Sequence, residues 1–160
     1  MRFRTSYLHS IFDSPLKYRR LIDKIADRMI ALKKKNSFGG IAFRGQSGAA
    51  MAYPLSAQLN IPLICVRKKG ENSHGFSVEG SLRNIKRYVI IDDFIEGGNT
   101  IIAIINAIEK EEQWRSKSQK EQLTKCVGII LYSTTQPGEF NREFFVIKNK
   151  DLKIPVYYWG

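Results

Sequence analysis

The sequence predicts an α/β fold in which a parallel sheet is flanked by helices on both faces. Two observations carry this prediction. Short apolar runs typical of strands alternate with stretches of helical periodicity, and glycine-containing turns follow the strands directly. The 160 residues are enough for one domain with a real core, and neither an internal repeat nor a linker divides them.

The first half of the chain predicts two helices and two strands. The first helix is expected to begin at Pro15 with Ser14 as its cap, and Lys33–Lys35 close its C-terminal end. A strand, "IAF", follows Gly39-Gly40, and the turn "RGQSG" leads into a second helix, "AAMAYPLSAQL". Pro54 within it implies a kink or a late helix start. "IPLICV" is predicted to be the next buried strand.

The second half continues the alternation after an exposed polar loop at residues 67–80. "RYVIID" is a strand, and the turn behind it opens a helix whose apolar stripe consists of Ile101, Ile104, Ile105 and Ile108. "CVGIILY" is a further strand, and "EFFVIKNKDLKIPVYYW" holds one or two more. The loops 44–48, 67–77 and 93–99 are expected at one edge of the sheet, where ligands bind in such folds.

The charge of the chain is unusual. Twenty-six Lys and Arg against fifteen Asp and Glu give a net charge of +11. Residues 1–80 carry 14 basic and 5 acidic groups (+9), whereas residues 81–160 carry 12 and 10 (+2). The first half is therefore expected to attract a polyanion, either nucleic acid or a heavily phosphorylated small molecule.

Cysteine usage and hydropathy indicate a cytoplasmic protein. Cys65 and Cys126 lie in predicted strands without any metal-ligand spacing, which is typical of reduced core thiols. No apolar run approaches the ~18 residues that a membrane span requires, and the basic N-terminus lacks the apolar core of a signal peptide.

The stretch "YVIIDDFIEGGNT", residues 88–100, carries the clearest chemistry. Asp92 and Asp93 end a predicted strand, where paired carboxylates suit a vicinal diol or Mg²⁺. Gly97 and Gly98 allow backbone N–H groups to converge at the start of a helix, which favours a phosphate. A ribose diol beside a 5′-phosphate matches both halves of the stretch.

This stretch resembles the phosphoribosyl-pyrophosphate (PRPP) motif of type I phosphoribosyltransferases. In that motif an apolar run precedes two acids, two apolar residues and a small residue, and then Thr, Gly, a variable residue and Thr. Ile90–Thr100 matches it, except that Gly97 stands where Thr is usual, which removes a hydroxyl contact to the 5′-phosphate. The resemblance implies a nucleobase phosphoribosyltransferase that requires Mg²⁺, held by Asp92 and Asp93 directly or through ribose hydroxyls and water.

The resemblance extends over roughly residues 39–131 and implies further roles. It implies a PRPP site composed of Arg44, Gly45, Arg67, Asp92, Asp93, Glu96, Gly97, Gly98, Asn99 and Thr100. "HGFSVEGSL" is similar to the mobile catalytic loop of orotate phosphoribosyltransferases, so Lys69 and His74 are implied to close over the pyrophosphate. The other implied catalytic residues are Lys68, which supplies charge from the end of a strand, and Glu96, the candidate general base. The family fold implies a small hood formed by the termini around a core at roughly 15–135, and assembly as a homodimer or homotetramer.

The base pocket is less determined by the sequence. Orotate-type members carry an acid–arginine pair where this chain has Ser133, Thr134 and Thr135, so a neutral purine or pyrimidine is favoured over orotate. The candidates for stacking on the base are Phe94, Ile95, Tyr158 and Trp159, although the aromatic C-terminus is also typical of core packing.

Two alternatives to the enzyme remain open. The first is a regulatory protein of the same fold that binds PRPP together with RNA or DNA, which the charge of +11 permits. The second is a relative that synthesises PRPP, but the chain is short for that class and shows no ATP site. The loop with Arg67-Lys68-Lys69 and His74 favours the enzyme, because a pure binding protein needs no lid.

Overall fold

The computed structural model describes residues 14–68, 70–71, 76–80, 82–115, 124–133 and 142–159. Within them, a seven-stranded sheet flanked by helices confirms the predicted fold class. The helices are α1 (Pro15–Asn36), α2 (Gly45–Leu59) and α3 (Asn99–Arg115), with a short 3-10 helix at Lys148–Lys150. The strands are β1 (Gly40–Phe43), β2 (Leu63–Val66), β3 (Val78–Glu79), β4 (Arg87–Asp92), β5 (Lys125–Leu131), β6 (Phe144–Ile147) and β7 (Leu152–Tyr158).

The strands are ordered β3-β2-β1-β4-β5-β7-β6 across the sheet. The five inner strands are parallel, and β3 and β6 pair antiparallel at the two edges. From β1 the chain passes through α2 to β2 on one side, whereas from β4 it passes through α3 to β5 on the other. The direction of winding therefore switches between β1 and β4, and a ligand cleft is expected beyond the carboxyl ends of these two strands.

Side chains alternate between two hydrophobic clusters, one on each face of the sheet. Ile41 and Phe43 of β1, together with Val89 and Ile91 of β4, pack beneath α1 and α2. Ala42 and Ile90 point to the other face, towards α3 and its apolar stripe. Because β1 and β4 are covered on both faces, they consist of nearly uninterrupted apolar residues.

Helix α2 differs from the prediction, because it begins at Gly45 and continues through Pro54. Of the two predicted alternatives, the late helix start is therefore wrong, and the kink stays a prediction. A proline in a helix cannot donate to the carbonyl four residues back, which here belongs to Ala50. The hydroxyl of Tyr18 on α1 donates a hydrogen bond to that carbonyl instead. This bond satisfies the carbonyl and ties α2 to α1.

The other elements follow the prediction with one addition. Ser14 caps α1, since its Oγ accepts a hydrogen bond from the N–H of Lys17 at 3.4 Å. The two C-terminal strands are present as β6 and β7. Strand β3 lies inside the predicted loop at 67–80, where pairing with β2 overrides a polar sequence.

Some expectations concern residues beyond the described ranges. Residues 1–13, expected to contribute to the hood, lie outside the described residues. Cys65 and Cys126 lie in strands as predicted, and both are free thiols. In the described part of the chain no helix is both long and apolar enough to cross a membrane.

Candidate active site

Asp92 and Asp93 lie at the carboxyl end of β4, at the switch point of the sheet. The Asp92 side chain is almost fully buried, and its Oδ1 accepts hydrogen bonds from Ser47 Oγ (3.1 Å) and from the N–H of Asp93 (3.0 Å). The Oδ1 of Asp93 accepts a hydrogen bond from the N–H of Phe94 at 2.9 Å. These bonds fix both carboxylates and leave further acceptor positions on each for a ligand.

Burial and mutual repulsion perturb the ionisation of this pair. Removal from water raises the pKa of Asp92 to about 7, and the neighbouring negative charge of Asp93 adds to the increase. The hydrogen bond from Ser47 acts in the opposite direction, because it stabilises the carboxylate. A cation or a pair of hydroxyl donors bound here would relieve the repulsion, so the site is suited to a diol or a hard metal ion.

The turn behind the aspartates leads directly into α3. Gly98 has φ +75°, in the left-handed region that favours glycine, and a Cβ there would lie 2.5 Å from Cε2 of Phe145. A Cβ at Gly97 would meet nothing closer than Nδ2 of Asn99 at 3.8 Å. The first N–H groups of α3 have no partners within the helix and carry partial positive charge, so this turn is suited to bind an anion.

Arg44 and Lys68 bring positive charge to the opposite side of the cleft. Nε of Arg44 is buried and lacks a hydrogen-bond partner among the described residues. Such an unsatisfied donor costs about 1–3 kcal/mol, which an anionic oxygen would recover. The side chain of Lys68 lies against Gly45, where a Cβ would come within 2.8 Å of Lys68 Cε. Gly45 has φ +71°, so its conformation favours glycine, whereas the end of the flexible Lys68 side chain could shift to make room for a Cβ.

These groups surround one cleft of about 320 Å³, a size typical of small-molecule sites. Two helix N-termini, those of α2 and α3, open into it, and neither helix has an acidic residue in its first turn. No side chain of those turns competes with a ligand phosphate for the helix ends. The lining consists of Arg44, Ser47, Lys68, Asp92, Asp93, Phe94, Ile95, Glu96, Gly97, Gly98, Asn99, Thr100 and Ile101.

Most of the predicted site residues are thus brought together, but three are placed elsewhere. Arg67 lies outside the lining and pairs with Glu79, with 2.5 Å between Nη2 and Oε1. The hydroxyl of Tyr158 exchanges hydrogen bonds with the backbone of Arg142, and the Trp159 ring packs on Tyr157.

Two further predicted residues, Lys69 and His74, lie outside the described residues. The roles predicted for these five residues from the family resemblance stay predictions.

Three residues of the site were not singled out in the sequence. Ser47 holds Asp92, and the hydroxyl of Tyr132 donates to the backbone carbonyl of Ser47 at 2.6 Å. Phe145 packs against Gly98 from a strand almost fifty residues later in the chain. Ser47 lies within the turn "RGQSG", so its proximity to the cleft could be predicted from the sequence. The contacts of Tyr132 and Phe145 arise only from the fold.

The carboxylates fit a magnesium ion that is shared with a ligand. In the described ranges no group of three or more His, Cys, Asp or Glu side chains is placed to hold a metal ion. Mg²⁺ commonly binds through one or two carboxylates and completes its coordination with substrate phosphates and water. Asp92 and Asp93 beside an anion-binding turn match that mode.

Comparison with known proteins agrees with this geometry. The family model PRTase-CE matches residues 5–156. The hypoxanthine/guanine phosphoribosyltransferase of Methanocaldococcus vulcanius is 32% identical over 119 residues, covering 65% of this chain and 64% of that protein. The orotate phosphoribosyltransferase of Coxiella burnetii is 28% identical over 116 residues, covering 70% of this chain and 51% of that protein. The chain thus spans less than two thirds of the length of either relative.

Solved structures show the same fold. The adenine phosphoribosyltransferase from Saccharomyces cerevisiae superposes with a TM-score of 0.64 at 18% identity, covering 94% of this chain and 82% of that chain. At this level of identity the likeness concerns the fold alone.

Proposed function

The chain belongs to the PRTase-CE family, within the type I phosphoribosyltransferases, and we propose that it transfers the 5-phosphoribosyl group of PRPP to a nucleobase with release of pyrophosphate. One observation carries the proposal. Two fixed aspartates, a glycine turn at a helix N-terminus and two cations surround a single cleft at the switch point of the sheet. Each of these features suits one part of PRPP.

The aspartates and the turn account for the ribose phosphate. Asp92 and Asp93 would accept hydrogen bonds from the two ribose hydroxyls, and the N–H groups from Gly97 to Thr100 would bind the 5′-phosphate. Mg²⁺, when bound at the aspartates, would neutralise charge on the pyrophosphate. Binding both ends of the sugar phosphate fixes the position of C1, the atom at which transfer occurs.

The two cations account for the leaving group. In this transfer the C1–O bond to pyrophosphate breaks, the ribose ring gains oxocarbenium character, and a base nitrogen attacks C1. Arg44 and Lys68 would stabilise the charge that develops on the departing pyrophosphate, and the unpaired Nε of Arg44 supplies a preorganised donor. Lys69 and His74, on the loop that follows Lys68, are proposed to close over the pyrophosphate and exclude water.

The base would lie near Phe94 and Ile95, which line the cleft beside the aspartates. Glu96 is exposed on the same lining and is the candidate general base for the incoming nucleobase. Relatives named for hypoxanthine or guanine and for orotate are both similar to the chain. A neutral base remains our proposal, since Ser133 supplies no cation for the orotate carboxylate.

The test is pyrophosphate release from PRPP with Mg²⁺ and a panel of purine and pyrimidine bases. We expect turnover with at least one base, and loss of turnover and of PRPP binding when Asp92 and Asp93 are both changed to Asn. The matched control changes Asp23 and Asp27, two exposed acids of α1, to Asn and should keep full activity. No turnover with any base and no PRPP binding by calorimetry would refute the proposal.

The remaining expectations follow from the same proposal. The partners are PRPP, pyrophosphate, the nucleobase and its nucleoside monophosphate, and assembly as a homodimer or homotetramer is a prediction for light scattering. A cytoplasmic location is likewise proposed from the two free thiols. The relatives named above are all phosphoribosyltransferases by name and do not support a purely regulatory protein.

A further inference from the structure

Helix α1 carries a line of positive charge that the proposed reaction does not use. Five basic residues lie on one side of it, and all five are exposed: Lys17, Arg20, Lys24, Arg28 and Lys35. At 100° per residue they fall within an arc of about 80°, and from the first to the last they span about 27 Å. We call this set the α1 basic stripe.

Few acidic residues accompany the stripe on the described helices α1 and α2. Between Gly45 and Leu59 helix α2, which packs beside α1, contains no charged residue. The two acids of α1 are Asp23, which accepts a hydrogen bond from Gln58 of α2 at 3.3 Å, and Asp27, which borders the stripe. With Arg19 and Lys33–Lys35 included, α1 carries eight basic and two acidic residues, a net charge of +6 out of +11.

The opposite layer of the molecule lacks this excess. Helix α3 carries Glu109, Glu111 and Glu112 against Lys110 and Arg115, a net charge of −1. The positive potential is therefore concentrated on the face covered by α1, and most of the excess counted in residues 1–80 belongs to this helix rather than to the cleft.

Two large apolar residues of α1 are exposed, Leu16 (58%) and Ile30 (45%), and neither belongs to the stripe. The apolar side of α1, which includes Ile25 and Met29, is buried against the sheet and cannot enter a lipid bilayer. A helix that lies on a membrane needs that side exposed. A row of long cationic side chains instead suits a repeating anion in water, such as the phosphate backbone of nucleic acid.

We propose that the α1 basic stripe binds the sugar-phosphate backbone of nucleic acid. The stripe is long enough to contact several successive phosphates of one strand. Since the contacts are to phosphates alone, binding is independent of base sequence and depends steeply on salt. This surface is a property additional to the proposed transferase activity, and it does not require that activity.

The experiment measures binding of fluorescently labelled RNA, single-stranded DNA and duplex DNA, each about 20 nucleotides long, by polarisation across a salt series. For the unmodified protein we expect the logarithm of the association constant to fall with the logarithm of salt concentration with a slope of about −3 to −5. Changing Arg20, Lys24 and Arg28 to Gln should reduce the steepness of that slope by about 2 to 3.

A matched control removes the same charge elsewhere. Lys86, Lys110 and Lys125 are exposed, lie outside both the stripe and the cleft, and are changed to Gln together. The control should keep the slope of the unmodified protein. If both triple variants lose binding equally, net charge rather than the stripe is responsible and the proposal is overturned. Should the first triple variant fail to fold, Lys17→Gln with Lys35→Gln tests the two ends of the same row.

Competition separates the stripe from the cleft. Saturating PRPP with Mg²⁺ should leave nucleic-acid binding unchanged, because PRPP would occupy the cleft. Displacement by PRPP would place the nucleic acid in the cleft and overturn the proposal. The absence of binding at low salt would also overturn it, as would binding to phosphatidylserine vesicles with none to nucleic acid. Loss of transferase activity in the aspartate variants would have no bearing on these outcomes.

Discussion

Replacing Gly98 by alanine tests the geometry of the anion-binding turn. Gly98 has φ +75°, and a Cβ at this residue would lie 2.5 Å from Cε2 and 2.6 Å from Cζ of Phe145. Phe145 is a core residue, so it cannot swing into solvent to make room. The neighbouring Gly97 provides an internal control, since its φ is outside the left-handed region and its Cβ would meet nothing within 3.4 Å.

The expected cost has two parts. Holding alanine in the left-handed region costs about 1–2 kcal/mol, and displacing a packed aromatic ring costs about 1–3 kcal/mol. We therefore expect Gly98→Ala to lower the free energy of unfolding by roughly 2–5 kcal/mol, while Gly97→Ala should remain within about 0.5 kcal/mol of the unmodified protein. PRPP binding should weaken for Gly98→Ala, because the strained turn misdirects the N–H groups.

Urea unfolding of both variants measures the two free energies, and calorimetric titration with PRPP measures the binding. A combined variant, Gly98→Ala with Phe145→Leu, should recover part of the loss, since a smaller side chain relieves the overlap but not the backbone strain. Equal unfolding midpoints for Gly98→Ala and Gly97→Ala would refute the reasoning, because it would mean that neither the contact nor the conformation matters.

Three further predictions concern the same cleft. Because the pKa of Asp92 is raised to about 7, the folded protein binds a proton that the unfolded chain releases near pH 4. The free energy of unfolding of the metal-free protein should therefore decrease as the pH rises from about 4 to about 7, by up to about 4 kcal/mol. Asp92→Asn should flatten this pH dependence, measured by urea unfolding with a chelator present. If the free energy of unfolding of Asp92→Asn still decreased over this pH range, the raised pKa of Asp92 would be contradicted. Gly97→Thr should keep the fold and tighten PRPP binding by roughly five- to tenfold in calorimetry, since it restores a hydroxyl where the family motif has one; unchanged affinity would count against the assigned phosphate position. Ser47→Ala should raise the pKa of Asp92 further, because its carboxylate loses a hydrogen-bond donor, and should therefore shift the acidic limb of the pH profile of kcat/KM to higher pH. An unchanged acidic limb would exclude a role of Ser47 in stabilising the Asp92 carboxylate.

Local sequence patterns predicted most of the fold. Parallel strands buried on both faces, such as β4 with "RYVIID", are continuous apolar runs that can be recognised without the structure. Helices with clear start signals, such as Ser14-Pro15, were also predictable. Strand β3 was not, because its two residues are held by pairing with β2 rather than by their own preference. The course of α2 through Pro54 depends on a hydroxyl from another helix, which no local pattern records.

The residues of the candidate site likewise differ in how well the sequence predicted them. Residues that belong to one continuous motif, such as Asp92 and Gly98, were identified together because the chain itself places them side by side. Arg67 was expected in the cleft from the family resemblance, but its guanidinium pairs with the carboxylate of Glu79 from the neighbouring strand β3. Contacts such as that of Tyr132 with Ser47 join residues 85 positions apart, and only the three-dimensional fold brings them together.

The hydrogen bond between Tyr18 and the carbonyl of Ala50 makes two distant positions interdependent. Pro54 leaves that carbonyl without its helical donor, and Tyr18 supplies a replacement, so a change from tyrosine to phenylalanine would be harmful only while position 54 remains proline. In a chain with alanine at position 54 the helix would satisfy its own carbonyl, and the hydroxyl at position 18 would become dispensable. Proline at position 54 is thus expected to cost more stability in sequences that lack a hydrogen-bond donor at position 18.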